Sequence, residues 1–112
     1  MSRYLLTVSL YVAVGCEREL RDFEDRALAI GARYDVLLVV AARLSAQANG
    51  LAAPYELHVL SLPHRAAFEQ WREDPDYQAL KAERDAIIVR TDVVAGDDCT
   101  QQVSAGVSRT RS

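Results

Sequence analysis

Two pairs of polar side chains have the spacing that proton-transfer chemistry would use. Glu56 and His58 are two residues apart in a predicted strand, so both side chains leave the same face of the sheet. A carboxylate beside an imidazole holds one ring tautomer and raises its basicity, which suits removal of a proton from an acidic carbon or a phenol. Arg90 and Asp92 have the same spacing in a later strand. We therefore take His58 as the candidate base, Glu56 as the group that orients it and Arg90 as the group that stabilises developing negative charge.

Further polar and aromatic residues are candidates for contact with a bound molecule. Trp71 lies three residues after Phe68, a spacing typical of a core stripe, and lining a ligand cavity is its alternative role. Tyr11 could offer its phenol to an aromatic ligand or cap an interface. The candidate ligand contacts are Ser9, Tyr11, Trp71 and Asp92. A competing interpretation is that the polar side chains form a hydrogen-bonded network at a dimer interface.

The sequence predicts no metal site and no cofactor. One histidine and two carboxylates on a face fall short of a set of two histidines and a carboxylate, and His64 follows Pro63 outside the site. The two cysteines, Cys16 and Cys99, are too few for a thiolate zinc site. The chain has no phosphate-binding glycine loop, dinucleotide fingerprint, nucleophile elbow or haem motif.

These candidates need elements that position them, and the apolar pattern predicts four strands and two helical regions. We expect strands over residues 4–14, 34–42, 55–62 and 87–94 and a first helix over 17–31, ended by Gly31 in a left-handed cap. A second helical region carries Ala67, Phe68 and Trp71 and is broken at Pro75, with a short helix over 76–84. Asn49 and Gly50 indicate a hairpin between the second and third strands.

The predicted order βαββαβ indicates an α+β ferredoxin-like fold. In it a four-stranded antiparallel sheet carries both helices on one face, and the first and third strands are central neighbours. We expect one domain over residues 1–96. Residues 97–112 are rich in polar and small side chains, so we expect a disordered C-terminal tail.

One face of this sheet would be left without helices. We place the aliphatic residues of three strands against the helices: Leu6, Val8, Leu10, Leu57, Val59, Ile87 and Val89. The open face would then carry Thr7, Ser9, Tyr11, Glu56, His58, Leu60, Arg90 and Asp92. The second strand is apolar on both sides, and the choice between its two faces is even. Such a strand needs cover on both sides, and a second copy of the chain in a face-to-face homodimer would supply it.

Composition limits the class of protein. The chain has 112 residues, of which 50% are hydrophobic and 26% charged, so it has room for one domain with a real core. Its net charge of −3 makes nucleic acid and anionic lipid improbable partners. The apolar stretch over residues 4–14 is interrupted by Thr7 and Ser9, too short for a membrane span and unlike a signal peptide. We expect a cytoplasmic protein.

Three stretches of sequence resemble a known superfamily. They are the run PYELHVLSLP over residues 54–63 with Phe68 and Trp71 after it, the run DPDYQALKAER over 74–84, and a strand that ends in VAG at 94–96. Together they resemble the dimeric α/β-barrel superfamily, and within it small bacterial proteins of unassigned function related to antibiotic-biosynthesis monooxygenases. The resemblance implies a homodimer whose sheets face each other, with a ligand chamber inside the barrel or between sheet and helices.

Two classes of function fit this sequence. The first is a small-molecule-binding barrel that acts as a cofactor-independent monooxygenase or an isomerase or cyclase on an aromatic or polyketide-like substrate, as the resemblance implies. The second is a non-catalytic ligand-binding or structural homodimer. The residues alone do not decide whether the protein is an enzyme, because one fold supports many chemistries.

Overall fold

The elements of the chain follow the predicted order. The computed structural model describes residues 3–45 and 53–103, so the predicted hairpin at Asn49 and Gly50 lies outside the described residues. The elements in chain order are β1 (Tyr4–Val12), α1 (Glu17–Gly31), a short 3-10 helix (Ala32–Tyr34), β2 (Leu37–Arg43), β3 (Glu56–Leu62), α2 (Arg65–Glu73), α3 (Pro75–Gln78), α4 (Lys81–Ile87) and β4 (Ile88–Asp97).

The four strands form one antiparallel sheet in the order β2-β3-β1-β4. The helices pack on one face of it, which confirms the predicted α+β ferredoxin-like βαββαβ fold. The second helical region is split where the sequence predicts. Asp74 caps α3 by accepting a hydrogen bond of 2.8 Å from the backbone N–H of Asp76, and Pro75 occupies the first helical position.

Helix α1 packs on the sheet through residues spaced three and four apart. Leu20, Phe23, Ala27 and Ile30 are all buried, as their spacing predicts. The predicted left-handed cap at Gly31 is wrong, because Gly31 has a φ of −57° and the chain turns instead at Asp35, with a φ of 61°. Glycine is needed at position 31 for space, since a Cβ there would lie 3.1 Å from Cε2 of Trp71.

The side chains of β3 face the opposite way from the prediction. Leu10 is paired with Glu56, Val8 with His58 and Leu6 with Leu60, and paired residues of neighbouring strands share a face. Glu56, His58 and Leu60 are therefore buried beneath the helices, on what we call the covered face. Leu57 and Val59 lie on the other face, which we call the open face.

Shifts of register in the sheet decide which side chains of the two edge strands, β2 and β4, are exposed. A shift of register between Leu38 and Val40 means that β2 follows neither predicted parity, and Leu37 through Val40 are all exposed. A second shift, opposite Tyr11, leaves Val89 exposed instead of packed against the helices as predicted. Ile87 is buried as predicted, at the end of α4. Strand β4 extends to Asp97, the first residue of the predicted tail over 97–112, and the part of that tail beyond Val103 lies outside the described residues.

Candidate active site

A cluster of two carboxylates and one imidazole lies between α1 and the sheet. His58 and Glu56 project from β3, and Glu24 reaches them from α1. Nε2 of His58 lies 2.7 Å from Oε1 of Glu56 and 3.0 Å from Oε2 of Glu24. All three residues are buried. We call these three residues the carboxylate–histidine cluster.

Two arginines connect this cluster to the surface. Arg43, at the end of β2, and Arg21, on α1, lie 3.3 Å and 3.4 Å from Oε2 of Glu56. Arg21 also lies 3.3 Å from Oε1 of Glu24, so one guanidinium contacts both carboxylates. Both arginines are half-exposed, which leaves part of each charge hydrated while its partner is buried. Their positive charges compensate the two buried carboxylates.

The environment of the cluster moves the pKa values of its two carboxyl groups apart. Burial raises the pKa of Glu24, and its contact with Glu56 raises it further. Burial also opposes ionisation of Glu56, but its contacts with Glu24 and His58 and the charge of Arg21 outweigh burial and lower its pKa to about 2. Carboxyl groups whose pKa values are pushed apart can take different roles in acid–base chemistry.

The imidazole responds to the same contacts. Burial disfavours the charged form of His58, but its contacts with Glu24 and Glu56 outweigh burial, so the pKa of the ring lies above its ordinary value of 6.5. A single N–H on Nε2 cannot point straight at both carboxylates. Accordingly, neither oxygen of Glu24 has a hydrogen-bond partner of good geometry among the described residues.

A cavity of about 460 Å³ lies between the covered face and the helices, and the cluster is on its wall. Its apolar lining comes from both layers and includes Val8, Leu10, Phe23, Leu60, Trp71 and Tyr77. Among the cluster residues, His58 and Glu24 line the cavity, and Glu56 lies behind them. A largely apolar pocket with a few converging polar groups is the usual form of a small-molecule site.

The structure separates the predicted site residues into two groups. His58, Glu56 and Trp71 are on the covered side, where Trp71 is both a core residue and part of the cavity lining. The other four are Ser9, Tyr11, Arg90 and Asp92, and they lie on the open face. There Arg90 pairs with Asp92 at 3.0 Å and lies over the ring of Tyr11. The sheet therefore separates Arg90 from the cavity of its own chain.

The sequence reasoning missed Glu24, Arg21 and Arg43. A signal for Glu24 was present, because it lies four residues after Leu20 and three before Ala27 and so shares their buried side of α1. Arg43 had a weaker signal, since only the register of β2 places it opposite Glu56. Charged residues of the second helical region, Arg72, Lys81 and Arg84, also line the cavity and were not predicted to do so.

The cluster also contains the donor atoms that a metal ion would use. One ligand atom from each of Glu24, Glu56 and His58 lies within 4.8 Å of the others. Two features favour proton sharing over metal binding. The contacts of 2.7 Å and 3.0 Å are hydrogen-bond distances, and Arg21 and Arg43 already supply the positive charge that a cation would bring.

The sequence from residue 7 to residue 96 matches the model of a protein family described as a domain of unknown function, DUF1330. The chain belongs to the DUF1330 family. This match covers all four strands except the ends of β1 and β4, and it includes every residue of the carboxylate–histidine cluster. No curated protein matches the chain.

Solved structures similar to this DUF1330 chain come from bacterial proteins. A protein of unknown function from Rhodopseudomonas palustris is 13% identical, with a TM-score of 0.71 over 87% of this chain and 82% of its own. A NIPSNAP family protein of unknown function from Agrobacterium tumefaciens is 14% identical, with a TM-score of 0.65 over 86% and 87%. A Dabb family protein with a ferredoxin-like fold from Mesorhizobium loti is 14% identical, with a TM-score of 0.57 over 86% and 96%. At sequence identities this low, the structural similarity shows that the fold is shared.

No helix within residues 3–45 and 53–103 of this DUF1330 chain combines the length and the hydrophobicity needed to cross a membrane.

Proposed function

We propose that this DUF1330 protein binds a small, largely apolar molecule beneath its helices and transfers a proton to or from it. The observation that supports this most is the placement of a buried imidazole and carboxylate on the wall of an apolar cavity of about 460 Å³. The proposed reaction needs no cofactor, and its substrate is aromatic or polyketide-like. Proton removal of this kind is a step of isomerase and cyclase reactions, and of monooxygenase reactions in which O2 is the oxidant and the deprotonated substrate supplies the electrons.

His58 is the proposed base. Its Nε2 is occupied by Glu56 and Glu24, so Nδ1 is the ring nitrogen that would accept a proton from the ligand. Glu56, with its pKa lowered to about 2, stays ionised, holds the ring and stabilises the imidazolium that forms. Glu24, whose pKa is raised, is the carboxyl group at the cavity wall that would hold and return a proton.

Aromatic side chains support a planar ligand. The indole of Trp71 is held in place by a hydrogen bond of 3.1 Å from its Nε1 to the carbonyl oxygen of Ala27. Its ring lies 5.6 Å from that of Tyr77 and 6.5 Å from that of Phe68. Fixed aromatic rings offer a large contact area at a low cost in conformational entropy, which favours binding of a flat apolar molecule.

A model substrate tests the proposed base without knowledge of the natural one. The ring of 5-nitrobenzisoxazole opens to a cyanophenolate when a base removes the proton on its carbon. We expect saturable turnover by the natural protein and a loss of about 100-fold or more in His58→Gln. His64→Gln, which changes the exposed histidine at the start of α2, is the matched control and should keep full turnover. Equal turnover by His58→Gln and the natural protein would refute the proposed base.

The second candidate function is non-catalytic ligand binding in the same cavity. It is favoured if aromatic compounds bind but no His58-dependent turnover of the model substrate occurs. A structural role for His58 and Glu56 as a lock between two subunits has less support, because both residues lie under the helices of their own chain. Loss of turnover of the model substrate in His58→Gln, with ligand binding retained, would support catalysis over binding alone.

We further propose that two copies of the chain pair through their open faces. The support is the row of exposed apolar side chains on that face, which includes Val40 and the 69% exposed Val94. The polar group of Arg90, Asp92, Ser9 and Tyr11 lies on the same face and would be enclosed by the partner. Sedimentation velocity over a range of concentrations tests this, and a monomer at every micromolar concentration would refute it.

A further inference from the structure

We propose that the cavity selects elongated apolar molecules that carry a carboxylate or a similar anionic group. The anionic group would bind Arg84 at one side of the cavity, and the end that exchanges a proton would meet His58 at the other. This inference rests on the proposed function and adds the class of ligand to it. It depends on the position of Arg84, on the distance across the sheet, and on the charges of the residues that line the cavity.

Arg84 is the most sheltered of the cationic side chains that line the cavity. It belongs to α4, and its Nη2 donates a hydrogen bond of 2.7 Å to Oγ1 of Thr91 on β4, which fixes the guanidinium over the sheet. Its side chain is 29% exposed, against 56% for Arg72 and 69% for Lys81. A partly desolvated guanidinium binds an anion more strongly than a fully hydrated one.

The charge of Arg84 is not closely compensated within the described part of the chain. The nearest carboxylate there is that of Asp85, whose Oδ1 lies 4.0 Å from Nη1 of Arg84. Asp85 also accepts a shorter contact, of 2.8 Å, from Nζ of Lys81. Arg84 therefore retains hydrogen-bonding capacity for an anionic group of a ligand.

Sheet register gives the distance between the two polar ends of the cavity. Thr91, which holds Arg84, is paired with Leu10, and Leu10 is paired with Glu56. Thr91 and Glu56 are thus two strand spacings apart, about 10 Å, and His58 lies two residues further along β3, so the backbones at Thr91 and His58 are about 12 Å apart. The strand between them presents Val8 and Leu10 to the cavity, so the middle of the path is apolar. A fused two-ring aromatic acid has the length and polarity that this arrangement fits.

The charged residues that line the cavity also favour an anionic ligand. Arg72, Lys81 and Arg84 line the cavity together with two acidic residues, Glu24 and Asp85, so the arginine and lysine side chains outnumber the acidic ones by one. This local excess of positive charge contrasts with the net charge of −3 of the whole chain. A local positive field of this kind attracts anions and raises their rate of association.

Calorimetric titration with a matched pair of compounds tests the inference. The probes are 2-naphthoate and the uncharged 2-naphthamide, which have the same rings and differ in charge. We expect the natural protein to bind naphthoate about 10-fold or more tightly than naphthamide, because a charge-assisted hydrogen bond contributes about 1.5–3 kcal/mol. Arg84→Gln should abolish this preference, and Arg84→Lys should keep part of it.

Controls separate the role of Arg84 from a general loss of charge or of folding. Arg18→Gln removes an arginine from the exposed side of α1 and should leave the preference for naphthoate unchanged. Circular dichroism and thermal melting show whether Arg84→Gln folds, and Arg84→Lys provides a second variant if it does not. Equal affinities for the two compounds in the natural protein, or an unchanged preference in folded Arg84→Gln, would overturn the inference.

Failure of this inference can be distinguished from failure of the proposed function. If naphthoate shows no preference but 5-nitrobenzisoxazole is turned over in a His58-dependent manner, the anion site is refuted and the proposed base stands. If both naphthalene compounds bind with the expected preference but no His58-dependent turnover occurs, the anion site stands and the proposed proton transfer is refuted.

Discussion

Both faces of the sheet carry a carboxylate paired with a cationic side chain two residues away in the same strand, yet only one pair is shielded from water. On the covered face, the side chain of Glu56 is 3% exposed and contacts His58. On the open face, Arg90 and Asp92 are 65% and 42% exposed. Identical spacing thus leads to a buried cluster in one strand and a surface ion pair in the other. The face of the strand, and not the pattern of residues, decides which chemistry is available.

The largest expected difference between the two faces is the loss in the free energy of unfolding when the carboxylate of each pair is replaced by an amide. Glu56→Gln removes the ionised partner of the buried His58 and of two half-exposed arginines, so we expect a loss of about 3 kcal/mol in the free energy of unfolding. Asp92→Asn should cost less than about 1 kcal/mol in the monomer. Urea denaturation at a dilution that gives monomers measures both values. Equal losses would contradict the distinction between the faces.

A charge placed on the open face should act on association and not on folding. Val94→Lys would bury an unpaired ammonium in the proposed dimer, so we expect the dimer dissociation constant to rise about 100-fold or more. The free energy of unfolding of the monomer should change by less than about 0.5 kcal/mol, because Val94 is already exposed. Sedimentation velocity measures the first quantity. Val14→Lys, in the exposed turn after β1, is the control and should leave association unchanged.

Acid should destabilise the covered face through Glu56. Its pKa is lowered in the folded protein from 4.5 to about 2, so its contribution to stability is present above pH 4.5 and is lost as the pH falls toward 2. A shift of this size corresponds to a loss of about 2 kcal/mol or more over that range. Two raised pKa values act in the opposite direction. The contribution of Glu24 is complete below pH 4.5, that of His58 is complete below pH 6.5, and each is lost as the pH rises through the pKa of the folded protein.

Urea denaturation at a series of pH values measures this profile, and the histidine resonances in NMR spectra report the pKa of His58 directly. Asp92→Asn should leave the acid slope unchanged, whereas Glu56→Gln should flatten it. A pKa of His58 below 6.5 would contradict the proposed balance between burial and the two carboxylates.

The smallest expected effect on the free energy of unfolding comes from adding one methyl group to the helix layer, at Gly31, or to the sheet, at Gly96. Gly31→Ala would place a Cβ 3.1 Å from Cε2 of Trp71 and 3.3 Å from Cβ of Val36, both of which are buried. We expect a loss of about 1 kcal/mol and a change in the fluorescence of Trp71. Gly96→Ala, in β4, meets nothing within 4 Å and should be neutral or slightly stabilising in the monomer. A stabilised Gly31→Ala variant would show that the helix layer can relax.

The fold could be predicted because each element has a local signal. The strands alternate or are continuously apolar, α1 has its stripe at Leu20, Phe23, Ala27 and Ile30, and Asp74 with Pro75 marks the break in the second helical region. The order of the elements then leaves few topologies. Gly31 shows the limit of such signals, since its conformation is helical and it is required by the distant side chain of Trp71.

The orientation of β3 could not be predicted because the charged face of the strand is the buried one. Placing Leu57 and Val59 inward follows the rule that aliphatic side chains are buried. The rule fails here because Arg21 and Arg43 compensate the charge of Glu56, and His58 is held between Glu56 and Glu24. None of Glu24, Arg21 and Arg43 is close to Glu56 in sequence. The exposure of Val89 has a similar cause, since a shift of pairing between β1 and β4 cannot be inferred from either strand alone.

Arg21 contacts a carboxylate on its own helix and another on the neighbouring sheet, and this has a consequence for how the chain reaches its folded state. A displacement of α1 along the sheet by one turn, about 5.4 Å, would separate Arg21 and Glu24 from Glu56 and His58. The carboxylates of Glu24 and Glu56 would then be buried without their partners, which adds a large penalty to the loss of hydrophobic packing. The polar contacts therefore discriminate against misaligned collapsed states more strongly than hydrophobic packing alone would.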